Sequence, residues 1–141
     1  MANEATINSG LSINNSPLSY TAKPGSFRAT VTGVKGPVPG AFEVSTEGTD
    51  VDLSELTTPA FCRIMNLDST NFVEYGIWDP DISKFYPLGE IQAGETYILR
   101  LSRNLFAEYG TGTGTSGPDT NTFRFKADSA ALDVIVEAFE D

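Results

Sequence analysis

Three aspartates, Asp68, Asp79 and Asp81, crowd into the stretch "NLDSTNFVEYGIWDPD" (66–81) beside Tyr75 and Trp78, with Phe85 and Tyr86 following closely. Hard carboxylate oxygens at this density suit calcium, but the alternating acids, central glycine and closing glutamate of an EF-hand loop are absent. Side-chain capping of turns by Asp and Ser explains the same residues without an ion. The four aromatics could stack on a sugar ring. They are nevertheless spaced as strand residues, and large aromatics more often fill cores and subunit contacts. A glycosidase needs two carboxylates across a cleft. The chain has many acids, and no spacing among them selects a pair.

Histidine is missing altogether, which removes imidazole bases, Ser-His-Asp and Cys-His nucleophiles and histidine-bearing zinc sites. The single cysteine, Cys62, lies between Phe61 and Arg63 in a strand-like run and reads as a small buried apolar residue. The glycines of "GTGTGTSG" lack both the following Lys-Ser or Lys-Thr and the strand-then-helix setting of a phosphate cradle. No enzymatic activity, metal or cofactor is expected.

The formal charge of the 141-residue chain is −10, from 19 Asp and Glu against 9 Lys and Arg. That balance repels phosphate backbones, so no nucleic-acid partner is expected. A basic-then-apolar leader and an apolar run of spanning length are both lacking, so neither a signal peptide nor a membrane partner is expected.

The elements that must position these residues look like strands. Residues 1–22 are polar, with thin alternation at Ile7, Leu11 and Ile13, and read as an N-terminal arm or edge strand. Lys23-Pro24-Gly25 is a turn signal, and "SFRATVT" alternates after it. "GVKGPVPG" reads as a loop, because its glycines and prolines break both helix and central strand. "AFEVS" and "DVDLSEL" read as short strands. "AFCRIM", apolar on both faces, suggests a central strand. "FVEYGIW" sets Val73, Tyr75 and Ile77 against Phe72, Glu74 and Trp78. "KFYPLGEI" and "TYILRL", joined by "QAGE", read as a hairpin. Residues 110–122 form a flexible glycine and threonine loop. "FRFKA" is a further candidate strand, and the β-branched run Val134-Ile135-Val136 favours a last strand over a helix.

Some ten short runs parted by turn signals at spacings of about 8 to 12 residues predict an all-β fold. The expected fold is a single-domain two-sheet β-sandwich over 23–141, jelly-roll-like ahead of immunoglobulin-like. The apolar residues expected to meet a partner are Ile7, Leu11 and Ile13 of the arm and the aromatics Trp78, Phe85, Tyr86 and Tyr109.

Over roughly residues 57–141 the chain resembles a group of small virion proteins of tailed bacteriophages, which share elements like "RNLDxTNxVxxG", "AGExxxxxL" and a C-terminal strand with an acidic tail. Asn66, Leu67, Asp68, Thr70, Asn71, Val73 and Gly76 match the first element. Ala93, Gly94, Glu95 and Leu101 match the second, and Glu140-Asp141 the third. Met65 departs from it where the pattern has arginine, and 106–130 looks like an insertion. The resemblance implies a non-enzymatic capsid decoration or cement protein, made in the host cytoplasm and placed on the outer capsid surface. Its partners would be the major capsid protein and copies of itself, as a trimer, with Ala2 to Ile13 adding to a neighbour's sheet edge. A neck, tail or fibre-associated subunit is the alternative within the virion. Outside it stands a carbohydrate-binding module that uses Trp78 and Tyr75, with a host-surface glycan as ligand.

Overall fold

The computed structural model describes residues 4–103, 105, 109–110 and 121–141, with the backbone alone at 23, 24, 109, 110 and 121. The chain divides into two compact units, Met1–Thr32 and Gly33–Asp141. The division therefore falls after Thr32 and not after residue 22.

The first unit is a hairpin of two long antiparallel strands, β1 (Glu4–Asn15) and β2 (Leu18–Thr30). The segment expected as an arm or edge strand is thus already paired along one edge. Lys23-Pro24-Gly25, expected as a turn, lies inside β2 where the register shifts: Ser9 faces Gly25 and Leu11 faces Ala22. Turn-forming residues have here produced a bulge, the other way in which a strand absorbs proline and glycine.

The second unit is a β-sandwich. One sheet has the order β3 (Val38–Val44), β11 (Leu132–Glu140), β5 (Pro59–Asn66), β8 (Thr96–Arg100). The other has the order β4 (Thr49–Asp50), β10 (Asn121–Ala127), β6 (Val73–Asp79), β7 (Lys84–Ile91), with the short β9 (Tyr109–Gly110) pairing parallel to β10. Leaving β9 aside and counting the rest one to eight along the chain, the sheets read 1-8-3-6 and 2-7-4-5. The first and last strands are neighbours, and every connection except β6 to β7 crosses from one sheet to the other. The first two strands of an immunoglobulin sandwich share a sheet; β3 and β4 do not, which removes that alternative.

"AFCRIM" forms the buried interior strand β5 as its two apolar faces require, and "LDVIVEAF" forms β11. "GVKGPVPG" is strand from Val38 onward, and Pro39 is accommodated because β3 is an edge strand. "DVDLSEL" leaves the sheet after Asp50, yet Val51 and Leu53 remain buried, as their alternation implies. The "QAGE" turn forms, with the Glu95 N–H donating to the Gln92 carbonyl at 3.0 Å and Gly94 at φ +74. It does not close a hairpin, because β7 pairs with β6 and β8 pairs with β5. Alternation fixes which face of a strand is apolar and leaves its neighbour open. The hairpin is instead β6–β7, turned at Pro80–Ser83, with Ser83 in the left-handed region at φ 52. Of the loop expected at 110–122, residues 111–120 lie outside the described residues, while 121 and 122 begin β10. Among the described residues no helix is long and apolar enough to cross a membrane.

The core closes between the sheets. Phe125 of β10 is fully buried and meets Phe42 of β3 edge-on at 6.2 Å across the sandwich, and Phe123 edge-on at 5.5 Å beside it. Ile64, Val73, Ile91, Val134 and Val136 complete the centre. Each such side chain contributes about 1.5–3 kcal/mol through the apolar surface it removes from water. Cys62 is buried among them, and burial, with a smaller push from Glu137, raises its thiol to about 12. A neutral, enclosed thiol is inert. Ellman's reagent at about pH 8 is accordingly expected to leave the folded protein unmodified and to titrate one thiol after denaturation; reaction of the folded chain would show that this part of the core opens.

Candidate interaction surfaces

The stretch rich in carboxylates resolves into structural turns. Asn66 ends β5 with its side chain fully buried, the one buried polar residue among those described. Its Nδ2 donates to the carbonyls of Asn71 at 2.9 Å and Ile91 at 3.1 Å, and its Oδ1 accepts the Asp68 N–H at 2.9 Å. Two carbonyls and one N–H leave a single orientation of the amide that satisfies all three. Asp68 then accepts the backbone N–H groups of Thr70 at 2.7 Å and Asn71 at 2.6 Å. Asp79 does the same for the Asp81 N–H at 3.0 Å. Each of these carboxylates folds its own loop, and among the described residues no three acids or cysteines are grouped to hold a metal.

The Asn71 and Thr70 N–H groups hold the Asp68 carboxyl below its ordinary range. The Arg63 side chain, 2.6 Å away across the β5–β11 pair, lowers Glu137, and the Thr57 N–H lowers Glu140. A carboxyl with a depressed folded-state pKa stabilises the fold above its unfolded pKa and ceases to do so as pH falls through the folded value. The urea midpoint is therefore expected to be flat near neutrality and to fall below about pH 4. Asp68→Ala should lower the neutral-pH midpoint and shallow that acid slope; an unchanged slope would assign the acid response elsewhere.

The four aromatics that could have stacked on one sugar are split between two faces. Tyr75 faces the core and lies tilted against Phe125 at 6.2 Å. Trp78 and Phe85, paired across β6 and β7, share the outer face of that sheet; Tyr86, next in line, pairs with Ile77 and is exposed, with the Lys84 ammonium 5.0 Å from its ring centre. Arg124 stacks on Trp78 with its guanidinium carbon 4.2 Å from the ring centre, and Asp50 holds Arg124 at 2.5 Å while accepting the Thr122 hydroxyl at 2.7 Å. One ring face of Trp78, where a sugar would stack, is therefore occupied by a fixed cation. The side chain of Tyr109 lies outside the described residues. Between the sheets a hollow of about 340 Å³ opens, with Tyr75, Ile77, Leu99 and Phe123 in its wall. Its described lining is mostly apolar, and its Arg100 is already engaged by Asp141 at 2.8 Å.

In the hairpin, residues opposite one another share a face. One face carries Ala5/Ala29, Ile7/Phe27, Ser9/Gly25, Leu11/Ala22, Ile13/Tyr20 and Asn15/Leu18; the other carries Glu4/Thr30, Thr6/Arg28, Asn8/Ser26, Ser12/Thr21 and Asn14/Ser19. Ile7, Leu11 and Ile13 thus stand together as expected. Leu18, Tyr20 and Phe27 belong with them and were not anticipated. Their signal was a change of phase: apolar residues fall on even numbers up to Ala22 and on odd numbers from Phe27. The register shift between Ser9 and Leu11 absorbs this change and keeps one apolar face along the whole ribbon.

No protein-family model, curated protein or solved structure matches the chain.

Proposed function

We propose that the chain is a non-enzymatic structural subunit of a tailed-bacteriophage virion, a capsid decoration or cement protein that bridges major capsid subunits on the outer surface. The observation that carries this reading is the strand order of the sandwich. Sheets of 1-8-3-6 and 2-7-4-5 interleave in the manner of a jelly roll, an architecture used by viral capsid domains and by lectins.

Fold analogy alone does not choose between those uses. Against a lectin, Arg124 occupies a ring face of Trp78, and Tyr75 and Tyr86 lie on the opposite face of the sheet from it. For a virion subunit, the turn "NLDSTN" and the acidic end of β11, on which the resemblance to phage proteins rests, are parts of the sandwich framework. The hairpin also offers two long edges for main-chain pairing with a neighbour.

The test is to mix the full chain with empty, undecorated capsids and with isolated tails, and to count the copies bound to each. Saturable binding to capsids in high copy number supports a cement protein. Binding to tails alone moves the assignment to a neck, tail or fibre subunit, and binding to neither particle overturns the virion reading.

A further inference from the structure

We infer that the apolar face of the β1–β2 hairpin is an interface between copies of this chain, each ribbon packing face to face on the same face of a second copy. This inference concerns the chain's own assembly and does not depend on a place in a virion.

A two-stranded sheet is marginal in water and needs a second layer over its apolar side. Here that side is mostly apolar, broken at Ser9/Gly25 and ending at Asn15. Its paired positions carry no charge, while the cross-strand pair Glu4 and Arg28, 3.3 Å apart, belongs to the polar face. Leu11, Leu18 and Tyr20 are 56%, 56% and 53% exposed, and Ile13 is 36% exposed. The register shift keeps these side chains on one side of the ribbon although the sequence changes phase.

Charge decides what covers it. The hairpin unit holds only Glu4, Lys23 and Arg28. Of the chain's 19 acids and 9 bases, the sandwich unit carries the remaining 18 and 7, a net charge of −11. Two copies would repel each other through their sandwiches, whereas the paired positions of the ribbon's apolar face bring no charge together. A two-fold axis brings identical patches together, so a face whose paired positions are uncharged and mostly apolar can meet its own copy without opposing charges. Two ribbons of the same twist stack as aligned sheets about 10 Å apart. The half-exposed Leu, Ile, Tyr and Phe side chains amount to roughly 500 Å² per copy, or about 1,000 Å² for the pair, the lower bound for a specific interface.

The test is sedimentation of the full chain at concentrations from about 1 to 100 µM, where interfaces of this size begin to associate. Wild type is expected at the mass of two copies. The double variant Leu11→Glu with Leu18→Glu places unpaired carboxylates in the interface and should weaken association about a hundredfold, to the mass of one copy. Asn8→Glu with Ser19→Glu adds the same charge to the polar face and should remain a dimer. Amide exchange of β5 and β11 in each variant verifies that the sandwich is still folded; should the apolar-face variant not fold, Tyr20→Ser is read in its place. A single-copy wild type, any mass other than two copies, or a dimer that survives the apolar-face substitution in a folded chain would overturn the proposal.

Discussion

Asn66→Asp is expected to lower the unfolding free energy by about 3–5 kcal/mol at neutral pH, the cost of a buried charge with no partner. The amide Nδ2 that now donates to the Asn71 and Ile91 carbonyls would become an oxygen facing two oxygens. Those carbonyls belong to the loop ahead of β6 and to the end of β7, so one side chain ties the end of an interior strand of one sheet to two elements of the other. Asn66→Leu removes the charge problem but strands two carbonyls and the Asp68 N–H, at about 1–3 kcal/mol for each unsatisfied group where water cannot reach. Urea titration measures both. Asn66→Asp should also recover part of its loss as pH falls and the new carboxyl protonates, against the wild-type trend. A loss below about 1 kcal/mol would mean that the turn reorganises around water.

Phe125→Ala carries the second large effect, a loss of about 3–5 kcal/mol. Phe125 has no exposed surface and contacts Phe42, Tyr75 and Phe123, so truncation leaves a cavity walled by rings that rigid strands hold apart. Phe125→Leu fills most of that space and should cost less than about 1.5 kcal/mol. The ratio of the two losses in urea reports how rigid the core is. Equal losses would point to the ring contacts themselves, and two small losses to a core that collapses inward.

Much of this framework could be read directly from the residues. The alternation of "FVEYGIW" set Val73, Tyr75 and Ile77 on the face opposite Trp78, the face that the fold turns to the core, and "AFCRIM" declared an interior strand. Periodicity of two reports the face of a strand, so such inferences were within reach. Which strand lies beside which is not encoded locally. The "QAGE" turn suits a hairpin as well as a crossing between sheets, and the choice is made at a distance, where the Asn66 N–H takes the Glu95 carbonyl at 3.0 Å. The hairpin face was obscured for a related reason. A single register shift reversed the phase of β2, so Leu18 and Tyr20 looked unrelated to Phe27 until the pairing partners were known. A single sugar platform is ruled out by the same periodicity, because Phe85 and Tyr86 are adjacent in a strand and must point opposite ways.

The neighbouring first and last strands of the sandwich set an order of events in time. β3 cannot gain its partner until β11 has been synthesised, so the larger unit is governed by long-range closure and belongs with the slow, high-contact-order folds. The β1–β2 ribbon needs only local pairing and can form within microseconds of its synthesis. During translation the chain would therefore sample its apolar ribbon, marginal until a second layer covers it, while the sandwich is still incomplete. Nascent chains on one message would offer that ribbon to one another early, so pairing of copies can precede the completion of either sandwich.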